Sequence, residues 1–359
     1  MLFNFILSNL ASLKLIDVLL RSPLRYHLME GFVLHRILVI LFLSAFLLTY
    51  LLTPLVRSLA TKLKILDYPS NARKIHTTPT PLLGGLAIFV SFLLCMAFLF
   101  LVLKRKLFME GPLFFSFGDS TLFWIQMGVF MFAALFILLT GILDDIKMID
   151  FRIKLLSQAL AAAIVISCGM YFQFTGNIIL DVLISFAWII VITNSFNLLD
   201  NMNGLSTSIA SITALLFAIS AFMTHAYLLT LIFFILFGAF LGFLPFNFPK
   251  AKIFLGDTGS LFLGFTLASF SILLFNHVSF HLRSFGLATL LILFLMSIPI
   301  LDTICVSVIR TWNHKPIYIG DTNHLSHQLV KKGISPLYAV LLLASLTGVI
   351  GLTGILFVT

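Results

Sequence analysis

Five short polar stretches interrupt an otherwise apolar chain, and each carries side chains suited to phosphate or metal chemistry. GILDDIKMIDFRIK, residues 141–154, sets Asp144 beside Asp145, with Lys147, Arg152 and Lys154 close behind. Two adjacent acids at the end of an apolar run are costly to desolvate unless cations or a metal offset them. A carboxylate pair next to three cations suits a magnesium–phosphate ligand, because magnesium takes hard oxygen ligands and shares them with substrate phosphates. A solvated loop of mixed charge is the alternative.

NSFNLLDNMNGL, residues 194–205, repeats an amide or acid at every third position: Asn194, Asn197, Asp200 and Asn203. On a straight α-helix each step of three drifts by about 60°, so Asn194 and Asn203 would face opposite ways. A 3₁₀ turn, or unwinding before Gly204, would turn all four toward one cavity. Amides donate and accept, so they can serve a metal through oxygen or a nucleobase edge through both atoms.

FLGDTGS, residues 254–260, precedes an apolar helix. Its small residues expose backbone N–H groups to an anion, or Asp257 is a plain N-cap. IYIGDTNHLSHQLVKKGISP, residues 317–336, spaces His324 and His327 one helical turn apart for a sugar, a phosphate or a structural role. DYPSNARKIHTTPTPLLGG, residues 67–85, offers Arg73, Lys74 and His76 to an anion, or marks topology as basic juxtamembrane loops do.

The elements that must position these residues are membrane helices. The chain is 60% hydrophobic and 10% charged, far below the ~25% charged residues of soluble domains. The expected fold is all-α and polytopic. Ten spans are expected, at about 35–57, 82–103, 122–143, 155–172, 178–193, 205–223, 227–244, 259–275, 286–309 and 336–357. They form one domain over residues 35–359, preceded by an amphipathic, interfacial segment at 1–34. Alternate connections place all five polar stretches on one face. That face holds 14 of the 22 Lys and Arg, which marks it as cytoplasmic. The net charge of +9 thus reports topology and not nucleic-acid binding. Three cysteines in apolar segments give neither a disulfide framework nor a zinc motif.

LDD at 143–145, NSFNLLDNMNGL at 194–205, FLGDTGS at 254–260 and HLSH at 324–327 together resemble the polyprenyl-phosphate N-acetylhexosamine-1-phosphate transferases. The resemblance covers nearly all the chain from about residue 35. It implies a ten-span bundle of the bacterial inner membrane with its active site at the cytoplasmic face. It also implies transfer of a sugar-1-phosphate from a UDP-N-acetylhexosamine to undecaprenyl phosphate, with release of UMP. ARKIHTTPTPLLGG and PILDT at 299–303 look more like the branch that starts O-antigen, enterobacterial common antigen or teichoic-acid linkage units, which usually transfers N-acetylglucosamine-1-phosphate. The phospho-N-acetylmuramoyl-pentapeptide branch of peptidoglycan synthesis is the alternative, though its three consecutive histidines are absent here.

The same resemblance implies magnesium, with manganese as a substitute, held by Asp257 and Asn197. Asp144, Asp145, Asp257 and Lys154 are the implied catalytic residues. Asp200, Asn203 and Asn247 would line the uridine pocket, with Lys74, His76, Arg152, Asn194, His324 and His327 as further substrate contacts. Two departures stand out. Ser326 replaces the middle histidine of the usual HxHH, and the usual DGxDG reads Asp200-Asn201-Met202-Asn203-Gly204. From another class, a transporter or flippase of an anionic lipid or nucleotide sugar would carry its charges near the midplane. Here, among the acids, only Asp302 sits well within an expected span, Asp181 lying close to the start of another. The sequence leaves a homodimer open.

Overall fold

A computed structural model describes residues 23–69, 78–104, 121–316 and 322–358. The described residues form twelve helices: α1 (Pro23–Lys62), α2 (Gly84–Lys104), α3 (Thr121–Lys147), α4 (Phe151–Ser167), α5 (Ile178–Leu199), α6 (Leu205–Met223), α7 (Tyr227–Asn247), α8 (Gly256–Leu282), α9 (Phe285–Leu295), α10 (Ser297–Trp312), α11 (Leu325–Lys331) and α12 (Pro336–Val358). A minimal antiparallel pair, β1 (Leu66–Asp67) and β2 (Thr80–Pro81), sets Leu66 opposite Pro81. Helix α1 runs through residue 34 without a break, and residues 1–22 lie outside the described ones.

Among the described residues eight helices are long and apolar enough to cross a bilayer: α1 from Leu34, α2, α3, α5, α6, α7, α8 and α12. Helix α4 occupies the expected 155–172 span. Its 17 residues reach about 25 Å at 1.5 Å per residue, short of a ~30 Å hydrocarbon core. The span expected at 286–309 is a broken one, α9 and α10 meeting at 74° across Met296. Pro299 has no N–H to return to the Leu295 carbonyl, and Thr213 Oγ1 of α6 donates to that carbonyl at 3.5 Å. The chain therefore bends where a neighbouring helix can satisfy the freed acceptor.

Helix α8 is the axis of the bundle, with α3, α5 and α2 against it and nearly its whole length buried. Aromatic and small residues make that packing close. Phe130 of α3 stacks on Phe265 of α8 with ring centroids 5.8 Å apart, and Trp188 Nε1 of α5 donates to Ser271 Oγ at 2.8 Å. The outer helices expose Leu, Ile and Phe to the surroundings, as lipid contact requires.

Candidate active site

At one end of α8 lies a cavity of about 750 Å³. Its walls come from all five polar stretches or their flanks: residues 63–68 and Leu82, 144–146 and Met148, 200–203, 247–249 and 254–257, and Pro336, with Leu337 and Val340 of α12 beside it. The fifth also meets the third from behind, Ser326 Oγ donating to Asn201 Oδ1 at 2.6 Å. The stretches that hydropathy placed on one face do share one site.

The end of α3 and the start of α8 form its centre. Asp145 accepts from Asp257 N–H at 2.8 Å, from Thr258 N–H at 3.2 Å and from Thr258 Oγ1 at 2.6 Å. It caps α8 from another helix. Gly256, at φ +70°, is required there, since a Cβ would collide with Asp145 Oδ2. Gly141, one turn back on α3, likewise lets that helix lie against the Asp257–Thr258 backbone. Asp144 accepts from Ile149 N–H at 2.9 Å and from Lys154 Nζ at 2.9 Å. Lys154 Nζ also donates to Asp257 Oδ2 at 2.6 Å, so one cation joins two carboxylates from α3 and α8.

The Asx array divides, because α5 stays α-helical through Leu199 and unwinds only between Asp200 and Gly204. Asn194 turns to α4, its Nδ2 donating to Gln158 Oε1 at 2.6 Å. Asn197 Nδ2 donates to Ser260 Oγ of α8 at 2.9 Å. Neither lines the cavity. Asp200 and Asn203 do, so the expectation that all four face one cavity is corrected to two. Asn203 Nδ2 reaches Pro249 O at 3.3 Å. Asn247, also in the wall, is held by Thr207 Oγ1 at 3.3 Å and by Ile253 O at 3.1 Å. Arg152 is exposed, its guanidinium 5.7 Å over the Phe151 ring and outside the cavity. His324 and His327 stand 6.2 Å apart by ring centroids and do not line it either. Lys74 and His76 lie outside the described residues.

Charge decides what this cavity can hold. Its described walls carry five carboxylates, Asp67, Asp144, Asp145, Asp200 and Asp257, against Lys64, with Lys154 between two of them. Among the described residues Asp200 has neither an ion-pair nor a side-chain hydrogen-bond partner. Burial first, then the charges of Asp257 and Asp145, hold its carboxyl well above the usual range. Such a wall favours a cation. Among the described residues no three acids or histidines form a ready metal cage. Magnesium takes one or two carboxylates and completes its shell with substrate phosphates, so the donor set fits an ion that arrives with substrate.

Sequence reading missed three participants. Asp302 pairs with His324, Ser326 with Asn201, and Gln158 with Asn194. An acid inside an apolar span was the one visible signal, since such a group needs a partner.

Residues 127–275 match glycosyl transferase family 4. The chain is similar to the probable undecaprenyl-phosphate N-acetylglucosaminyl 1-phosphate transferase of Bacillus subtilis, 30% identical over 85% of this chain and 81% of the relative. It is also similar to the decaprenyl-phosphate N-acetylglucosaminephosphotransferase of Mycobacterium tuberculosis, 32% identical over 88% and 81% respectively. Similarity to the phospho-N-acetylmuramoyl-pentapeptide-transferase of Leuconostoc citreum, at 32%, spans only 60% of this chain and 70% of that relative.

Proposed function

The chain belongs to glycosyl transferase family 4, and from that premise we propose that it transfers N-acetylglucosamine-1-phosphate from UDP-N-acetylglucosamine to undecaprenyl phosphate. The product is the first lipid-linked intermediate of a cell-envelope polysaccharide. The observation that carries this reading is the acidic, amide-lined cavity at the end of α8, built by stretches far apart in sequence. Likeness over 85–88% of the chain to N-acetylglucosamine-1-phosphate transferases, against 60% for the pentapeptide branch, supports the sugar.

The acceptor is a phosphate monoester, with its second pKa near 6, so it is already mostly a dianion at neutral pH. One of its oxygens attacks the β-phosphorus of the donor. The bond from that phosphorus to the bridging oxygen breaks, and UMP leaves with the oxygen. No proton need be removed, and the task is positioning and charge stabilisation. Lys154, held between Asp144 and Asp257, presents its ammonium where donor phosphates would sit. Asp257, in the cavity wall, would hold magnesium, and Asn197, which stands behind that wall with its nitrogen on Ser260, would reach the ion only through its oxygen. Magnesium when bound neutralises the charge that builds on UMP. Asp145 keeps the start of α8 in place, and Asp144 orients Lys154. Asp200, Asn203 and Asn247 form the uridine wall, with uracil donating to and accepting from the Asn203 amide. The active site faces the cytoplasm, where UDP-sugars are made, a reading supported by the basic residues of the same stretches.

Purified protein incubated with undecaprenyl phosphate, magnesium and a panel of UDP-sugars should release UMP and yield one sugar-diphospholipid. A transporter would release none, and that result would remove the transferase reading.

A further inference from the structure

The broken helix carries one acid into a buried place. Asp302 of α10 lies six residues past Met296 and is 1% exposed. Its Oδ2 meets His324 Nδ1 at 2.7 Å, and its Oδ1 accepts from Leu325 N–H at 2.7 Å. A carboxylate only accepts, so His324 keeps a hydrogen on Nδ1. Leu325 N–H is the first amide of α11, which has no capping side chain of its own. Asp302 therefore supplies the N-terminal acceptor from another helix. His324 is 3% exposed and Ser326 1%, so neither is a surface contact.

The path continues toward the cavity. Ser326 Oγ donates to Asn201 Oδ1 at 2.6 Å, and Asn201 Nδ2 donates to Leu198 O at 2.9 Å. Both sides of the Asn201 amide are thus taken, and its neighbours Asp200, Met202 and Asn203 line the cavity. Two of the three residues that depart from the usual patterns meet here. Asn201 stands where DGxDG has Gly, and Ser326 where HxHH has His. A glycine at 201 would give residue 326 nothing to bond, and a hydroxyl 2.6 Å from its buried acceptor leaves little room for an imidazole. These two departures form one hydrogen bond.

We infer that Asp302, His324 and Ser326 are positioning residues that hold Asn201, and with it the Asp200–Asn203 turn, where the turn meets the nucleotide half of the donor. The inference rests on the transferase reading and deepens it. The path ends on the uridine wall and touches neither Lys154 nor Asp257, so its loss weakens donor binding and spares acceptor binding.

The test is UMP-release kinetics on the full chain in detergent, with UDP-GlcNAc and undecaprenyl phosphate varied in turn, beside calorimetry of UDP binding. Ser326→Ala and Asn201→Gly should each raise the donor KM about 3- to 10-fold, the size of one buried hydrogen bond. The acceptor KM should stay put and kcat should move less than about twofold. The double variant should be no worse than the weaker-binding single, because the same bond is lost once. Asp302→Ala should raise donor KM more than Asp302→Asn, which keeps an acceptor for Leu325 N–H. UDP affinities should follow the same order. Additive penalties in the double variant, an acceptor KM that rises with the donor's, or wild-type kinetics in Asp302→Ala each overturn the relay. A wild-type chain that neither binds UDP nor releases UMP overturns the transferase reading itself.

Discussion

Helices α8 and α11 both begin without a capping side chain of their own, and each borrows a carboxylate from another membrane helix. Asp145 serves α8, and its three partners are two backbone amides and a hydroxyl, none of which titrates near neutral pH. Asp302 serves α11 with one oxygen and a histidine with the other. The first cap fixes a 27-residue axis whose second residue, Asp257, is bound to Lys154. The second fixes a seven-residue helix that reaches the cavity wall through Asn201. The same device thus serves two purposes. Where Asp257 and Lys154 are held together, the cap engages only the start of its helix and the helix is long. Where a binding wall must be placed, the helix is short and its cap shared.

The largest expected effect lies at the first cap. Asp257→Asn should cut kcat by about 10²- to 10³-fold, the usual cost of one preorganised electrostatic group. UMP release measured with and without EDTA checks it, and wild-type turnover in chelator would sink the metal assignment. Stability should separate the two caps next. Asp145→Ala strands two amides and a hydroxyl and should cost about 2–4 kcal/mol, while Asp302→Ala strands one amide and an imidazole and should cost about 1–3 kcal/mol. Thermal unfolding in detergent reads both, and the reverse order would make α11 the structural helix.

Effects confined to the binding wall should be smaller. Asn203→Leu removes both uracil partners at similar bulk, so UDP-sugar affinity should fall roughly ten- to a hundredfold, with the lipid KM unchanged. Equal losses for nucleotide and lipid would remove Asn203 from the uridine wall. The smallest effect is a pH dependence. Asp200 has its folded pKa raised by burial and by the Asp257 and Asp145 charges. The stability it contributes is therefore complete below its unfolded value, about 4, and is lost as pH rises through the raised one. Metal-free protein should lose melting temperature over that rise, and Asp200→Asn should lose less. Parallel curves for the two would show that Asp200 does not feel those charges.

Hydropathy made most of the fold legible, because a charge deficit leaves little besides spanning helices. It could not show the 74° break, since α9 and α10 are both apolar and the freed Leu295 carbonyl is met by Thr213 from a distant stretch. Motif residues were legible as a group, and Asp144, Asp145, Lys154 and Asp257 do meet. Which of them react and which hold was not. Asp145 looks as available as Asp144 in the sequence, and only the approach of α8 shows its oxygens taken. The three-residue period from Asn194 to Asn203 misled for a plain reason: α5 keeps 3.6 residues per turn through Leu199, and the first two amides rotate into the bundle.

The bond from Asp145 to the start of α8 also sets an order of events during synthesis. Its partners Asp257 and Thr258 follow 112 and 113 residues later. At roughly 5–20 residues per second, the ribosome needs on the order of 6–20 s to make them after Asp145 emerges. Through that interval α3 and α4 have Lys154, ten residues from Asp144, as their local countercharge. Asp144 is thus paired within the early hairpin, while Asp145 waits for the axis of the bundle to arrive.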